Sequence, residues 1–170
     1  METMNAKKMY DYHVWANKQL FTHLKHLPDH VYTDKVKSVF PSVSATMAHI
    51  YCTDFIWLET MKGSPFQQTV SEVEHLKAAI VDVAIEGAER YFDQLAVQFA
   101  DFFTLHGELD KQIIVEHPKM GRIPFVLADL VHHIVNHGTY HRGNVTAMLR
   151  QQSQKGIPTD YVFFLMKEEK

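Results

Sequence analysis

One stretch constrains this chain more than any other. From Phe125 to about Gln152 there is no proline, and apolar residues recur at Leu127, Leu130, Ile134, Val145 and Met148. Steps of three and four belong to one face of an α-helix. Carried through the gap, the same alternation lands on His137 and His141. Two histidines thus share the stripe that must face a core, about one turn apart, with their imidazoles projecting the same way. Neutral imidazole is a good ligand for zinc, nickel, copper or iron, and a pair four apart offers two adjacent coordination positions. The alternative is a pair of buried, hydrogen-bonded histidines, each of which then needs partners for both ring nitrogens. A pair is also an incomplete set, because catalytic zinc usually takes three protein ligands.

The rest of the chain predicts neighbours for that helix. A first helix is expected from about Asn5 to Leu27, with Met9, His13, Ala16, Leu20, Leu24 and Leu27 on its inner stripe and Pro28-Asp29 as its stop. A polar connection follows. Pro41 with Ser42 or Ser44 opens a second helix that ends near Lys62-Gly63-Ser64-Pro65. It is apolar almost all round (Val43, Met47, Ile50, Tyr51, Phe55, Trp57, Leu58, Met61), so burial on more than one side is expected, by the bundle and by a partner subunit. Its face through Ala45, His49, Cys52 and Ile56 is apolar apart from one histidine. Ser71 opens a long third helix, with Glu72 and Glu74 in its first turn, running to His106-Gly107. Lys111 to Ile123 changes period and reads as a small hairpin turning at Pro118-Lys119-Met120-Gly121. Pro124 leads into the fourth helix, which stops near Lys155-Gly156, and Asp160 caps a last short helix from Tyr161 to Lys167. Four long amphipathic helices imply an all-α four-helix bundle, with the hairpin before the last long helix and a short helix after it. Metal sites in such bundles are built from inward side chains of facing helices.

Composition narrows the function. The 170 residues, 46 % apolar and 22 % charged, fit one domain spanning 1–170 with a sizeable core. A net charge of −3 argues against a broad basic surface for nucleic acid. Twelve histidines make a metal worth testing. Cys52 is the lone cysteine, so no internal disulfide is available and a reducing compartment fits. No apolar run reaches the ~18 residues of a membrane helix. Met1 to Tyr10 lacks the apolar core of a signal peptide, and a cytoplasmic location is expected.

With the helices placed, several strings resemble the DinB family. His133-Ile134-Val135-Asn136-His137-Gly138-Thr139-Tyr140-His141-Arg142-Gly143-Asn144-Val145 resembles that family's most distinctive stretch. Tyr12 with Trp15-Ala16-Asn17 resembles its first helix, Met47-Ala48-His49-Ile50 its second, and Pro158-Thr159-Asp160-Tyr161 the segment after the bundle. The resemblance implies a four-helix bundle, usually homodimeric, with one divalent metal held by three histidines. His137 and His141 match the pair on the fourth helix, and His49 matches the third ligand; the residue pattern alone does not single out His49. His13, on the inner stripe of the first helix, competes as a third ligand or pocket residue. His133 is expected to support the ligands or to pack, and His132 to face solvent.

Three neutral histidines leave a divalent zinc, nickel or iron ion its positive charge and at least one open position. Water or a thiol there would lose its proton more readily. Relatives that resemble this chain include thiol S-transferases and isomerases that use low-molecular-weight thiols, so a metal-dependent thiol transferase or hydrolase acting on a small molecule is one expectation. A non-catalytic, stress-related dimer with a structural or sensory metal is the other. The family's name refers to DNA-damage induction of a gene, which concerns regulation and implies no DNA binding. Tyr12, His13 and Asn17 are placed to reach a pocket or to bond between helices. Arg142 is expected in an ion pair or dimer contact, and Cys52 as a packing residue.

Overall fold

The computed structural model describes residues 2–168. Among these, the elements in order are α1 (Glu2–Leu24), α2 (His30–Thr33), α3 (Val43–Lys62), α4 (Phe66–Asp82), α5 (Ile85–Leu105), β1 (Gln112–His117), β2 (Gly121–Val126), α6 (Leu127–Gln151) and α7 (Tyr161–Glu168). The expected bundle is formed by α1, α3, α5 and α6: α1 packs on α5 and α6, and so does α3. Its core is built from the expected stripes, including Leu20, Leu24, Met47, Ile50, Leu95, Phe99, Ile134 and Val145. No helix among the described residues is long and apolar enough to cross a membrane.

Local chemistry sets the ends of α3. The Ser42 hydroxyl accepts from Ala45 N–H at its start. Gly63, at φ 100°, closes it in the left-handed conformation. The apolar surplus of α3 has an explanation within the chain, because α4 lies along its outer side. That removes the reason for which a partner subunit was expected to cover it.

The long third helix expected from Ser71 to His106 is two helices. The first begins five residues earlier, directly after Pro65, whose carbonyl accepts from the Thr69 hydroxyl. The chain then breaks at Val83 and Ala84, whose ψ angles of 154° and 157° leave the helical region. Neither proline nor glycine marks that break; Val83 and Ile85 instead pack against the core, and tertiary burial overrides helix propensity. Smaller corrections follow the same logic. The polar connection after Pro28 holds the one-turn α2, which buries Val31 and Tyr32. The first helix ends at Leu24 and the fourth at Gln151, short of Leu27 and Lys155.

The hairpin is antiparallel, with Val115 opposite Ile123 and His117 opposite Gly121. Pro124 is inside β2, opposite Ile114, where a two-stranded ribbon tolerates its missing N–H. The carbonyls of Lys111 and Leu109 then accept from Leu127 and Ala128 N–H, satisfying the first turn of α6 without a side-chain cap. After α6, the Tyr12 hydroxyl donates to the Thr159 carbonyl, and Phe164 of α7 is buried with Tyr12, Ala16 and Val135.

Candidate metal centre

α3 and α6 face each other across the bundle, and their polar interruptions meet. The Nε2 atoms of His49 and His137 are 3.0 Å apart. The ring of His141 is 4.6 Å from that of His49 and 4.4 Å from that of His137, centre to centre. One ligand atom from each of the three lies within 4.8 Å of the others. Nitrogens on a tetrahedral zinc with ordinary bond lengths would be about 3.3 Å apart, so the set closes around an ion with side-chain adjustments of ~1 Å. The structure therefore brings together His137 and His141, expected from helical spacing, with His49, expected from the family resemblance.

The hydrogen bonding of the cluster is incomplete. Two neutral imidazoles facing each other through Nε2 share one proton. His137 Nδ1 is buried with no hydrogen-bond partner. What fits a site built for an ion better than a purely structural pair is the convergence itself: two Nε2 atoms face each other and a third imidazole stands beside them. Asn144, one turn on, holds His141 through Nδ1 at 3.1 Å and leaves Nε2 uncommitted. Fixing the far nitrogen in this way is how ligating histidines are usually oriented, and rotating the amide offers Oδ1 to an Nδ1–H.

The protonation state also suits ligation. Burial, with a contribution from His141 and Lys77, lowers His49 to about 4. Burial and the neighbouring histidines lower His137 to about 3. His141 is lowered by burial as well. All three are neutral near pH 7, the form that binds a metal. The Phe40 ring covers the cluster, 4.6 Å from His49 and 5.4 Å from His141. His49 and His137 stay half-buried, so one side of the cluster remains reachable.

His13 belongs to a different network. Arg142 Nη1, which can only donate, lies 3.2 Å from His13 Nδ1. That places the ring proton on Nε2, which donates to Asp54 Oδ2 at 2.8 Å; Asn17 Nδ2, 3.0 Å from the same nitrogen, then has no acceptor in it. Arg142 also donates to Asn17 Oδ1 and Thr139 Oγ1, both at 2.9 Å. With both nitrogens engaged, His13 is not a third ligand. Arg142 is only 3 % exposed, so it is an internal cross-link rather than a dimer contact. Burial pushes the Asp54 carboxyl up, while His13 and Arg142 pull it back. Gly138 makes the arrangement possible: a Cβ there would collide with the His13 ring.

The remaining candidates sort themselves by position. His133 is exposed, with its ring 5.4 Å from that of Trp57 and 6.1 Å from that of His137. His132, expected in solvent, is half-buried in a groove of about 680 Å³ on the opposite side of α6. Tyr140 is exposed, though its ring contacts that of His141 at 4.9 Å. Cys52 is buried and its thiol is pushed up to about 12 by burial, which leaves it inert. Sequence reasoning missed Asp54, a buried aspartate of α3; the available signal was a charge in the middle of a helix whose other charges, Glu59 and Lys62, sit near its end.

A helical bundle whose facing helices aim three neutral histidines at one point defines a class of candidate metal-centred bundle proteins. The family comparison agrees with that class: the chain belongs to the DinB family, whose model matches residues 1–170. Protein DinB of Bacillus subtilis (strain 168) is 40 % identical over 167 residues, covering 97 % of each chain.

Proposed function

We propose that this protein binds one divalent transition metal through His49, His137 and His141 and uses it to activate a low-molecular-weight thiol or water against a small-molecule substrate. The observation that carries the reading is the convergence of three neutral imidazoles, two of them in Nε2–Nε2 contact at 3.0 Å, from α3 and α6. Zinc, nickel and iron all suit such a donor set. When bound, the ion supplies Lewis acidity that lowers the pKa of a water or thiol beside it.

The protein's own part is positioning and exclusion. Asn144 orients His141. Phe40 shields one side of the cluster from water, which strengthens every electrostatic interaction there. The buried His13–Asp54–Arg142 link ties α1, α3 and α6 together behind the ligands and fixes their spacing. Three protein ligands, without Cys52 as a fourth, leave room for a reactant. We also propose a homodimer, since exposed Val162, Phe163 and Met166 give α7 an apolar outer face. Sedimentation that shows only a 19.7 kDa species at micromolar concentration would reject it.

The test is metal analysis of protein purified without a histidine tag, followed by thiol-conjugation and hydrolysis assays. About one metal per chain is expected, lost in both His137→Ala and His141→Ala while the helical fold persists. Unchanged metal in both variants rejects the ligand set. Metal without turnover of thiol, amide or ester substrates favours a structural or sensory ion.

A further inference from the structure

The hairpin and α3 build a second feature beside the histidine cluster. Alternate residues of a strand share a face, so Val115 and His117 of β1 point the same way as Ile123 and Phe125 of β2. Together with Trp57 of α3, Phe66 of α4 and Leu130 and His133 of α6, they enclose a cavity of about 380 Å³. Trp57 is its hub, with ring centres at 5.7 Å from Phe66, 5.9 Å from Phe125 and 5.4 Å from His133. The last of these rings is 6.1 Å from that of His137, so the cavity begins one helical turn from the candidate ligands.

We propose that this cavity binds neutral, flat aromatic small molecules, and that it receives the organic substrate of the reaction proposed above. Its role in catalysis rests on that reading; the binding itself does not. The size is that of a small ligand pocket, with space for about one or two rings, and the predominantly apolar and aromatic lining matches such sites. Aromatic side chains favour an aromatic guest through offset and edge contacts. The lining also holds a hydrogen-bond donor. His117 Nδ1 accepts from the N–H groups of Lys119 and Met120, both at 3.2 Å, so the proton of the neutral ring is on Nε2 and suits a nitro or carbonyl oxygen. Asp129 is exposed in the lining and weighs against an anionic guest. Met120, at the turn and 66 % exposed, is a flexible thioether in the same lining and adapts to different rings.

The experiment uses the full chain with Trp15→Phe, which leaves Trp57 as the single tryptophan. The probe is 2,4-dinitroaniline, a neutral aromatic whose absorption overlaps tryptophan emission. Saturable quenching is expected, and it should persist within about threefold in affinity when His137→Ala is added, because His137 does not line the cavity and touches it only through His133. Val115→Phe and Ile123→Phe, each checked for helical content, should weaken binding about tenfold or more by filling the space. Quenching that rises linearly with probe, as it does for N-acetyltryptophanamide, overturns the proposal even if neither filled variant folds. So does unchanged affinity in both folded, filled variants, or tighter binding of the trimethylanilinium cation. Intact saturable quenching in protein that contains no metal would remove the metal reading and leave the cavity standing.

Discussion

Two polar clusters interrupt the apolar core, and both bridge α3 and α6. In one, His49, His137 and His141 point at one another with spare nitrogens and no charge. In the other, His13 is held on both sides, by Asp54 and by Arg142, and the unpartnered atoms are Asp54 Oδ1 and Arg142 Nε rather than a ring nitrogen of His13. The residue type is the same, and so is the bundle. What separates a candidate ligand from a structural histidine is whether both ring nitrogens are already used. Burial acts differently on the two as well. It keeps the first group neutral, whereas in the second it confines a carboxylate and a guanidinium that hold each other's cost in check.

The largest expected effect lies in the charged cluster. Asp54→Ala removes the acceptor of His13 and the negative charge that offsets buried Arg142 through space, and should lower stability by about 3–5 kcal/mol in urea unfolding. Asp54→Asn should cost less, and the fraction that stays folded should keep its metal. Metal loss that tracks Asp54 rather than His137 would merge the two clusters into one site. Next, Gly138→Ala forces a methyl into His13 and should cost about 1–3 kcal/mol. Adding His13→Ala should reduce that penalty, which a double-mutant cycle measures as coupling.

A smaller effect comes from pH. His49 and His137 titrate at about 4 and about 3 when folded, below the ordinary histidine value. The unfolded chain then binds more protons than the folded one between about pH 6.5 and those values. Stability of the metal-free protein should be fully present above about pH 6.5 and fall as pH drops towards 4 and 3. His137→Ala should shallow that slope; a slope unchanged in this variant would place the titrating group elsewhere. The smallest effect should be that of Cys52→Ala, with turnover within about threefold of wild type, under ~1 kcal/mol on the barrier. A dead Cys52→Ala enzyme that keeps its metal would shift the chemistry to the thiol.

What the sequence revealed followed how local each signal is. The stripe of α6, including His137 and His141, could be read directly, because spacing along one helix fixes which side chains share a face. The hairpin could be read too, from a change of period and a glycine at its turn. His49 needed the family resemblance, since nothing in α3 says which of its faces meets α6. The break at Val83–Ala84 carries no local signal and results from packing. The link between Arg142 and Asp54 was obscure for the same reason: they are far apart in sequence and are joined through His13, a third residue on α1.

Gly138 has a bearing on how this protein can drift over evolutionary time. It touches no candidate ligand function, yet its missing side chain is occupied by the ring of His13. The two positions, one on α1 and the other on α6, are therefore bound into a single heritable unit. A lineage that shrinks residue 13 frees residue 138 to vary, and one that enlarges 138 first meets a barrier. Among homologues the pair should change together, with small residues at 138 wherever 13 is histidine.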